Sequence, residues 1–397
     1  MSADKDVASD PLVPGAAPAE KKDYVFIDTL DDLQAWVAES SAALDRCGDY
    51  RCCLDTEADS LHHFREKLCL LQVAIAGRFA LVDPLAIQDV SCLLELLDRC
   101  EVWFHGADYD LTMLLRTYGW KPRQVRDTQI AARLLGQRQF GLAALVKEFF
   151  GPELSKASQK ADWSRRPLTP VMLAYAVDDV RYLLPLADRF VKSLKEQNRE
   201  HWFLTSCADL QQDVNDRLNE PREDPWRVQG SGRLHPKGLA LLQAAWKWRE
   251  GVADEKDLPC FRVMSNKQML AYAEQFEAGG PVSPPAGWRP RWKREFIQIV
   301  EDVVNGDPTT FPVRIKKQRG RFTDVERDQV DKLCAHRDKI AAGLNIESSL
   351  LGSRATLEQV VAAGAATEEF LLEWQSELLS EALEEIRAAN KARAAVS

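Results

Sequence analysis

Apolar and polar positions follow two rhythms along this chain, and the change falls near residue 200. Before it, short apolar runs alternate with longer stretches of helical period. Runs at 50–57, 68–76 and 78–83 have strand length and are bounded by turn residues. The last two flank Gly77, which predicts a hairpin. Another strand spans 101–105, where Gly106 breaks it. Tyr24 to Ile27 reads as an edge strand. Asp28 to Asp32 reads as a turn and cap before a helix near 31–45. Helical spacing recurs at 88–99, from Asp108 onward, and at 127–135, 141–150 and 171–197. A hairpin sheet followed by alternating strand and helix predicts a mixed α/β sheet with flanking helices. After Glu200 the period is helical throughout, in two stretches at 226–300 and 324–392. That half is expected to be all-helical and duplicated. The units implied are a disordered tail at 1–22, an α/β domain at 23–205, and helical domains at 224–305 and 324–395.

Length and composition narrow the class. The 397 residues suffice for two or three domains, each with a buried core. A hydrophobic share of 45% with 28% charged residues marks a soluble globular protein. The net charge of -9 argues against a non-specific coat on nucleic acid, though it leaves room for a local basic groove. Nine cysteines without paired spacing are expected to be reduced thiols. No apolar run reaches the length of a membrane span, and the first residues do not resemble a secretory signal, so the expected location is the cytoplasm.

Chemistry enters at Asp55, Thr56 and Glu57, which end an apolar run. On a strand, Asp55 and Glu57 project to one side and Thr56 points away as a structural residue. Two close acidic groups repel unless a cation lies between them, although a solvated strand end has the same pattern. Asp110 follows a strand and lies in the first turn of a helix, a place where open α/β sheets carry site residues. The plainer reading is an acid favoured by the helix dipole, a role that Asp108 fills more naturally as a cap. Tyr175 and Asp179 are one turn apart and share a helix face. Taken alone, they read as a core aromatic and a surface acid. Four carboxylates and a tyrosine together suit hard cations with oxygen ligands, Mg²⁺ or Mn²⁺. Two such ions can stabilise the attacking and leaving oxygens of a phosphoryl displacement.

The segments around Asp55 and Glu57, from His105 to Leu111, and from Tyr175 to Leu183 resemble the three motifs of the DEDD exonucleases. The tyrosine places the resemblance in the DEDDy branch, which includes ribonuclease D, the Werner exonuclease domain and proofreading exonucleases. Asp127 to Gln129 and Leu142 to Leu145 resemble the stretch between the second and third motifs. The resemblance covers roughly 24–200 and implies a ribonuclease H-like sheet. It implies that Asp55 bridges two metal ions and that Glu57 and Asp179 complete the water-side site. Asp110 would support the second ion through water, and Tyr175 would orient the attacking water. The implied products are nucleoside 5′-monophosphates. Asp178 replaces the small residue common at its position, and Ala58 stands where an aromatic is often found.

The segments Pro225 to Arg249 and Asp257 to Leu270 resemble an HRDC domain, a helical nucleic-acid-binding module. Leu344 to Arg354 and Leu357 to Val361 resemble a second, diverged one. This order is that of bacterial ribonuclease D, which implies an RNA partner with a free 3′ end, precursor tRNA above all, and a monomer. The stripe of Leu239, Leu242, Ala245, Trp246 and Trp248 reads as core. The basic runs 289–294 and 314–321 suit phosphate contacts or a solvated surface. A DNA exonuclease and a non-catalytic RNA-binding scaffold remain as alternatives. The absence of a P-loop and the complete set of five site residues favour the RNA-degrading enzyme.

Overall fold

The computed structural model describes residues 23–220, 223–314, 322–367 and 369–394. The expected tail at 1–22 and basic residues 315–321 lie outside them. Six strands form one sheet in the order β1 (Tyr24–Ile27), β4 (Arg78–Val82), β3 (Leu68–Ile75), β2 (Arg51–Ala58), β5 (Glu101–Phe104) and β6 (Gln124–Asp127). β3 runs antiparallel to both β2 and β4, whereas the outer pairings β1–β4, β2–β5 and β5–β6 are parallel. The hairpin closes through Ala76 and Gly77 with φ of 47° and 75°. Two successive left-handed residues match the twist of a tight hairpin, and glycine meets that demand without a Cβ clash.

The period-two pattern sorts β2 onto two faces. Cys52 and Leu54 join the core beneath α1 (Leu30–Cys47), α2 (Ser91–Leu97) and α3 (Asp108–Tyr118). Cys53 faces the other way, with α4 (Thr128–Leu134), α5 (Leu142–Phe150) and α7 (Leu183–Glu196). The side chain of Thr29 caps α1 by accepting the amide of Asp32, as the sequence suggests.

Two expectations need correction. The helix predicted over 171–197 is two helices, α6 (Pro170–Arg181) and α7, with Tyr182 between them. The break turns α7 onto Cys53 and Trp103, while α6 covers Cys69, Leu70 and Leu81. β6 carries no periodic apolar signal and was not predicted. It exists because β5 offers a parallel edge for pairing.

From residue 200 onward the described elements are helical. α8 (Glu200–Asn219) packs on α3, α4 and β6. A first helical region follows, with α9 (Pro236–Lys256), α10 (Cys260–Val263), α11 (Asn266–Glu277) and α12 (Pro290–Asn305). Its core holds Leu239, Leu242, Ala245 and Phe296, with Trp246 and Trp248 packed against them, so the apolar stripe is core. Within the basic run, Arg291 pairs with Glu255 and Glu295, and Arg289 lies over Trp292. The second region has α13 (Asp324–Leu344), α14 (Arg354–Ala362), α15 (Glu373–Leu378) and α16 (Ser380–Ala394). All nine cysteines are free thiols.

Candidate active site

Each carboxylate is placed by a different local device. Asp55 and Glu57 lie at the C-terminal end of β2, where the register shifts between Glu57 and Ala58. The shift ends regular pairing and lets the strand end open toward a cavity of about 440 Å³. α6 starts at a Thr169 cap with Pro170 in its first turn, a strong helix start. The chain ahead of it is held by Arg166, which bonds both oxygens of buried Asp83 at 2.5 and 2.7 Å and the carbonyl of Cys69 at 2.8 Å. Met172, Ala176 and Val180 then bury against the sheet, which leaves Tyr175 and Asp179 at the rim of the cavity.

One carboxylate oxygen from each of Asp55, Glu57 and Asp179 lies within 4.8 Å of the others. Asp110 lines the same cavity from α3 but stands outside this trio. The reason is Thr56. It faces the α3 side of the sheet, and its hydroxyl donates to Asp110 Oδ1 at 2.6 Å. Thr56 does point away from Asp55 and Glu57, but it is more than a structural filler because it fixes the fourth carboxylate. Asp108 is likewise not the cap of α3. That position is Ala107, without a side-chain cap, and Asp108 pairs with Arg217 at 2.5 Å. The turn before α3 is set by Asp127, whose carboxylate accepts the amides of Gly106, Ala107 and Gln129 at 3.0, 2.9 and 2.7 Å. Asp179 is in the trio and Asp178 is not, and Arg181 Nε donates to Asp178 Oδ1 at 3.2 Å.

Burial and mutual repulsion shape the electrostatics of the four carboxylates. Burial pushes the Asp55 carboxyl well above the usual carboxylate range, and the Asp179 charge adds to the effect. Burial, then Asp55, Asp179 and Asp110, push Glu57 up to about 10. Asp179 is pushed up to about 7, chiefly by burial, with the Tyr175 hydrogen bond opposing. Asp110 is raised by burial and by Asp55, against the pull of Thr56. No basic side chain among the described residues relieves any of the four. Crowded, desolvated carboxylates of this kind are a donor set for a hard divalent cation. Burial and the three nearby carboxylates also push the Tyr175 phenol upward, so it keeps its proton at neutral pH. The Tyr175 ring packs against buried Trp163 at 6.1 Å.

Other cavity-lining residues include His105 and Gln129, which lie in segments that carry the resemblance, and Lys156 and Gln159, which do not. His105 sits 2.9 Å from the Thr128 hydroxyl, which itself donates to the Phe104 carbonyl, and burial lowers its pKa. Gln72, opposite Asp55 across the strand pair, is fully buried with neither amide atom hydrogen-bonded.

This fold and carboxylate arrangement define a 3′-5′ exonuclease domain joined to helical modules. Residues 24–195 match the 3′-5′ exonuclease family and residues 238–278 match the HRDC domain. The ribonuclease D of Pseudomonas paraeruginosa is 32% identical over 252 residues, which is 62% of this chain and 66% of that protein. The ribonuclease D of Escherichia coli is also 32% identical over 252 residues, 62% of this chain and 64% of that protein. The chain thus spans just under two thirds of the length of these curated relatives. The crystal structure of Escherichia coli RNase D, described as an exoribonuclease involved in structured RNA processing, superposes with a TM-score of 0.68 at 25% identity. It covers 92% of this chain and 98% of its own. A Bifidobacterium adolescentis protein shares the fold with a TM-score of 0.73 at 21% identity, covering 91% of this chain and 96% of its own. Residues 24–195 are thus a 3′-5′ exonuclease domain, and the chain is similar to ribonuclease D over the lengths given.

Proposed function

We propose that this protein is a 3′→5′ exoribonuclease that releases nucleoside 5′-monophosphates and matures the 3′ ends of precursor tRNA and other small structured RNAs. The observation that carries this reading is the convergence of Asp55, Glu57 and Asp179, with Asp110 and Tyr175 on the same cavity. In this reading Asp55 would serve both of two divalent ions, Glu57 and Asp179 would complete one site, and Asp110 would support the other. The ions, Mg²⁺ or Mn²⁺, supply Lewis-acid stabilisation of the attacking and leaving oxygens. Thr56 keeps the Asp110 carboxylate oriented. Tyr175 retains its proton, so it orients the water as a hydrogen-bond partner and is not the base. The water oxygen bonds to the last phosphorus, its proton passing to solvent. The bond to the 3′-oxygen breaks, and that oxygen takes up a proton as it leaves.

The two helical regions act as HRDC-type modules at 224–305 and 324–395 that grip the RNA body while its 3′ end enters the cavity. The protein works as a cytoplasmic monomer. Among the described residues no helix is long and apolar enough to cross a membrane. The test compares matched RNA and DNA oligonucleotides with free and blocked 3′ ends, using the native chain and Asp55→Asn. RNA with a free 3′ end is degraded by the native chain, and D55N loses cleavage while still binding RNA. Equal or faster DNA degradation would overturn the RNA reading, and turnover by D55N would overturn the mechanism.

A further inference from the structure

The segment that follows Glu57 leaves the catalytic sheet and reaches the first helical region. Asp59 organises it. This buried residue accepts the Lys67 amide on its carboxylate at 2.8 Å, and its carbonyl accepts the amides of His62 and His63 at 2.8 and 3.0 Å. That turn presents His63 outward. His63 Nδ1 lies 2.7 Å from Asp257 Oδ2, and the other Asp257 oxygen accepts the Phe64 amide at 3.1 Å. Asp257 ends α9 with φ of 46°, a left-handed conformation uncommon for residues other than glycine and asparagine or aspartate. This backbone turn sets both carboxylate oxygens against the 63–64 segment. Phe64 packs on the small apolar cluster of Val252, Ala253, Val263 and Trp292.

The second nitrogen of His63 faces the catalytic domain. Nε2 lies 3.0 Å from Ser164 Oγ, and Ser164 Oγ lies 2.6 Å from Asp162 Oδ1. A carboxylate only accepts, so the single hydroxyl proton of Ser164 goes to Asp162. Nδ1 thus faces the Asp257 carboxylate and Nε2 faces the Ser164 hydroxyl that serves Asp162, so the ring lies between two acidic groups. Asp257 is held below the usual carboxylate range, first by its hydrogen bond to His63. His62 adds a second tie to the same wall, with Nε2 3.0 Å from the Lys160 carbonyl. That wall also contributes Ser155, Lys156 and Gln159 to the cavity lining.

We propose that His63 is a positioning residue. It pins the first helical region to the 155–164 wall of the catalytic cavity and so sets how the body of a long RNA is presented to the site. The substrate half of this statement rests on the exoribonuclease reading, whereas the pin itself does not. A charge-assisted pair with both partners in place holds a geometry that a neutral contact would not. His63 does not line the cavity, so its loss leaves the chemistry of a short end intact.

The test uses the full chain with one spin label on α2 and one on α12, read by pulsed electron resonance in the native protein, His63→Ala and Asp257→Asn. D257N keeps a residue tolerant of the left-handed turn but lacks the charge. Both variants should broaden and lengthen the distance distribution. The double variant should do no more than either single one. Kinetics on a ribodinucleotide and on a hairpin RNA with a 3′ tail give the second readout. Both variants should raise KM for the hairpin roughly tenfold, the size of one lost charge-assisted contact, while kcat/KM for the dinucleotide stays within about twofold. A distance distribution unchanged in H63A overturns the pin. Parallel losses on both RNAs overturn the positioning role. If the native chain degrades neither RNA, the exoribonuclease reading and the substrate half fall together, and the distances still decide the pin.

Discussion

The two helical regions meet the catalytic domain through opposite chemistries. The second is fused to it. Ala341, Ile346, Leu351 and Trp374 share one apolar core with Cys53, Trp103 and the inner faces of α4, α5, α7 and α8. Trp202 stacks on Trp374 at 4.9 Å. Buried Arg199 donates to the Leu134 carbonyl at 2.6 Å and the Leu344 carbonyl at 2.8 Å, so it satisfies two helix ends across the seam. The first region instead hangs on His63, Phe64 and Arg65, facing Asp254 and Asp257. A shared core melts with the domain it belongs to. A half-exposed charged seam can open while both sides stay folded.

The largest expected effect breaks the fused seam. Gly136 has φ of 82°, and an added Cβ would lie 2.2 Å from the Asn345 carbonyl oxygen. Gly136→Ala meets backbone it cannot displace cheaply and should lower stability by several kcal/mol. Trp374→Ala should cost about 3–5 kcal/mol by emptying a core site. Denaturation followed separately for the seam and the first helical region checks both. If either variant leaves the second region as firmly attached as before, the shared core is not what holds it.

A smaller effect follows from the carboxylate cluster without metal. The folded-state pKa of Asp179, about 7, lies above its ordinary value. A raised carboxyl favours the folded state while protonated, so this contribution is complete below about pH 4 and is lost as pH rises through about 7. With chelator present, the catalytic domain and the second helical region should melt together at lower temperature at pH 8 than at pH 6. Mg²⁺ should reverse the drop, and Asp179→Asn should flatten it, while the first region keeps its own transition. Stability that rises with pH across this window would contradict the site electrostatics.

The smallest effect tests the outer edge of the clasp. Arg65 and Asp254 are both largely exposed, so Arg65→Ala should change stability by less than about 0.5 kcal/mol. A larger loss in urea titration would mean that the seam depends on its exposed ion pair more than on His63.

Much of the site was legible because its residues sit on regular elements. Asp55 and Glu57 follow the period of a strand, and Tyr175 and Asp179 follow that of a helix. The cavity does bring those four and Asp110 to one place. Thr56 was legible only by its direction. Its hydrogen bond depends on where α3 lies across the sheet, which no neighbour in sequence records. Asp127 is the same case. It stands at the start of the helix predicted over 127–135, and the structure makes it both the cap of α4 and the holder of two amides of the turn before α3.

What the chain determines by itself is local. Apolar period, Gly77, and the caps at Thr29 and Thr169 set where strands and helices begin and end, because backbone hydrogen bonding and side-chain direction act over a few residues. Tertiary structure decided the rest. It broke the long helix at Tyr182 so that α6 and α7 each bury a face, and it recruited β6 to an open edge. It also turned Asp178 toward Arg181 and left Asp179 in the cluster. These outcomes depend on packing partners distant in sequence, whose burial outweighs the weak preferences of any short segment.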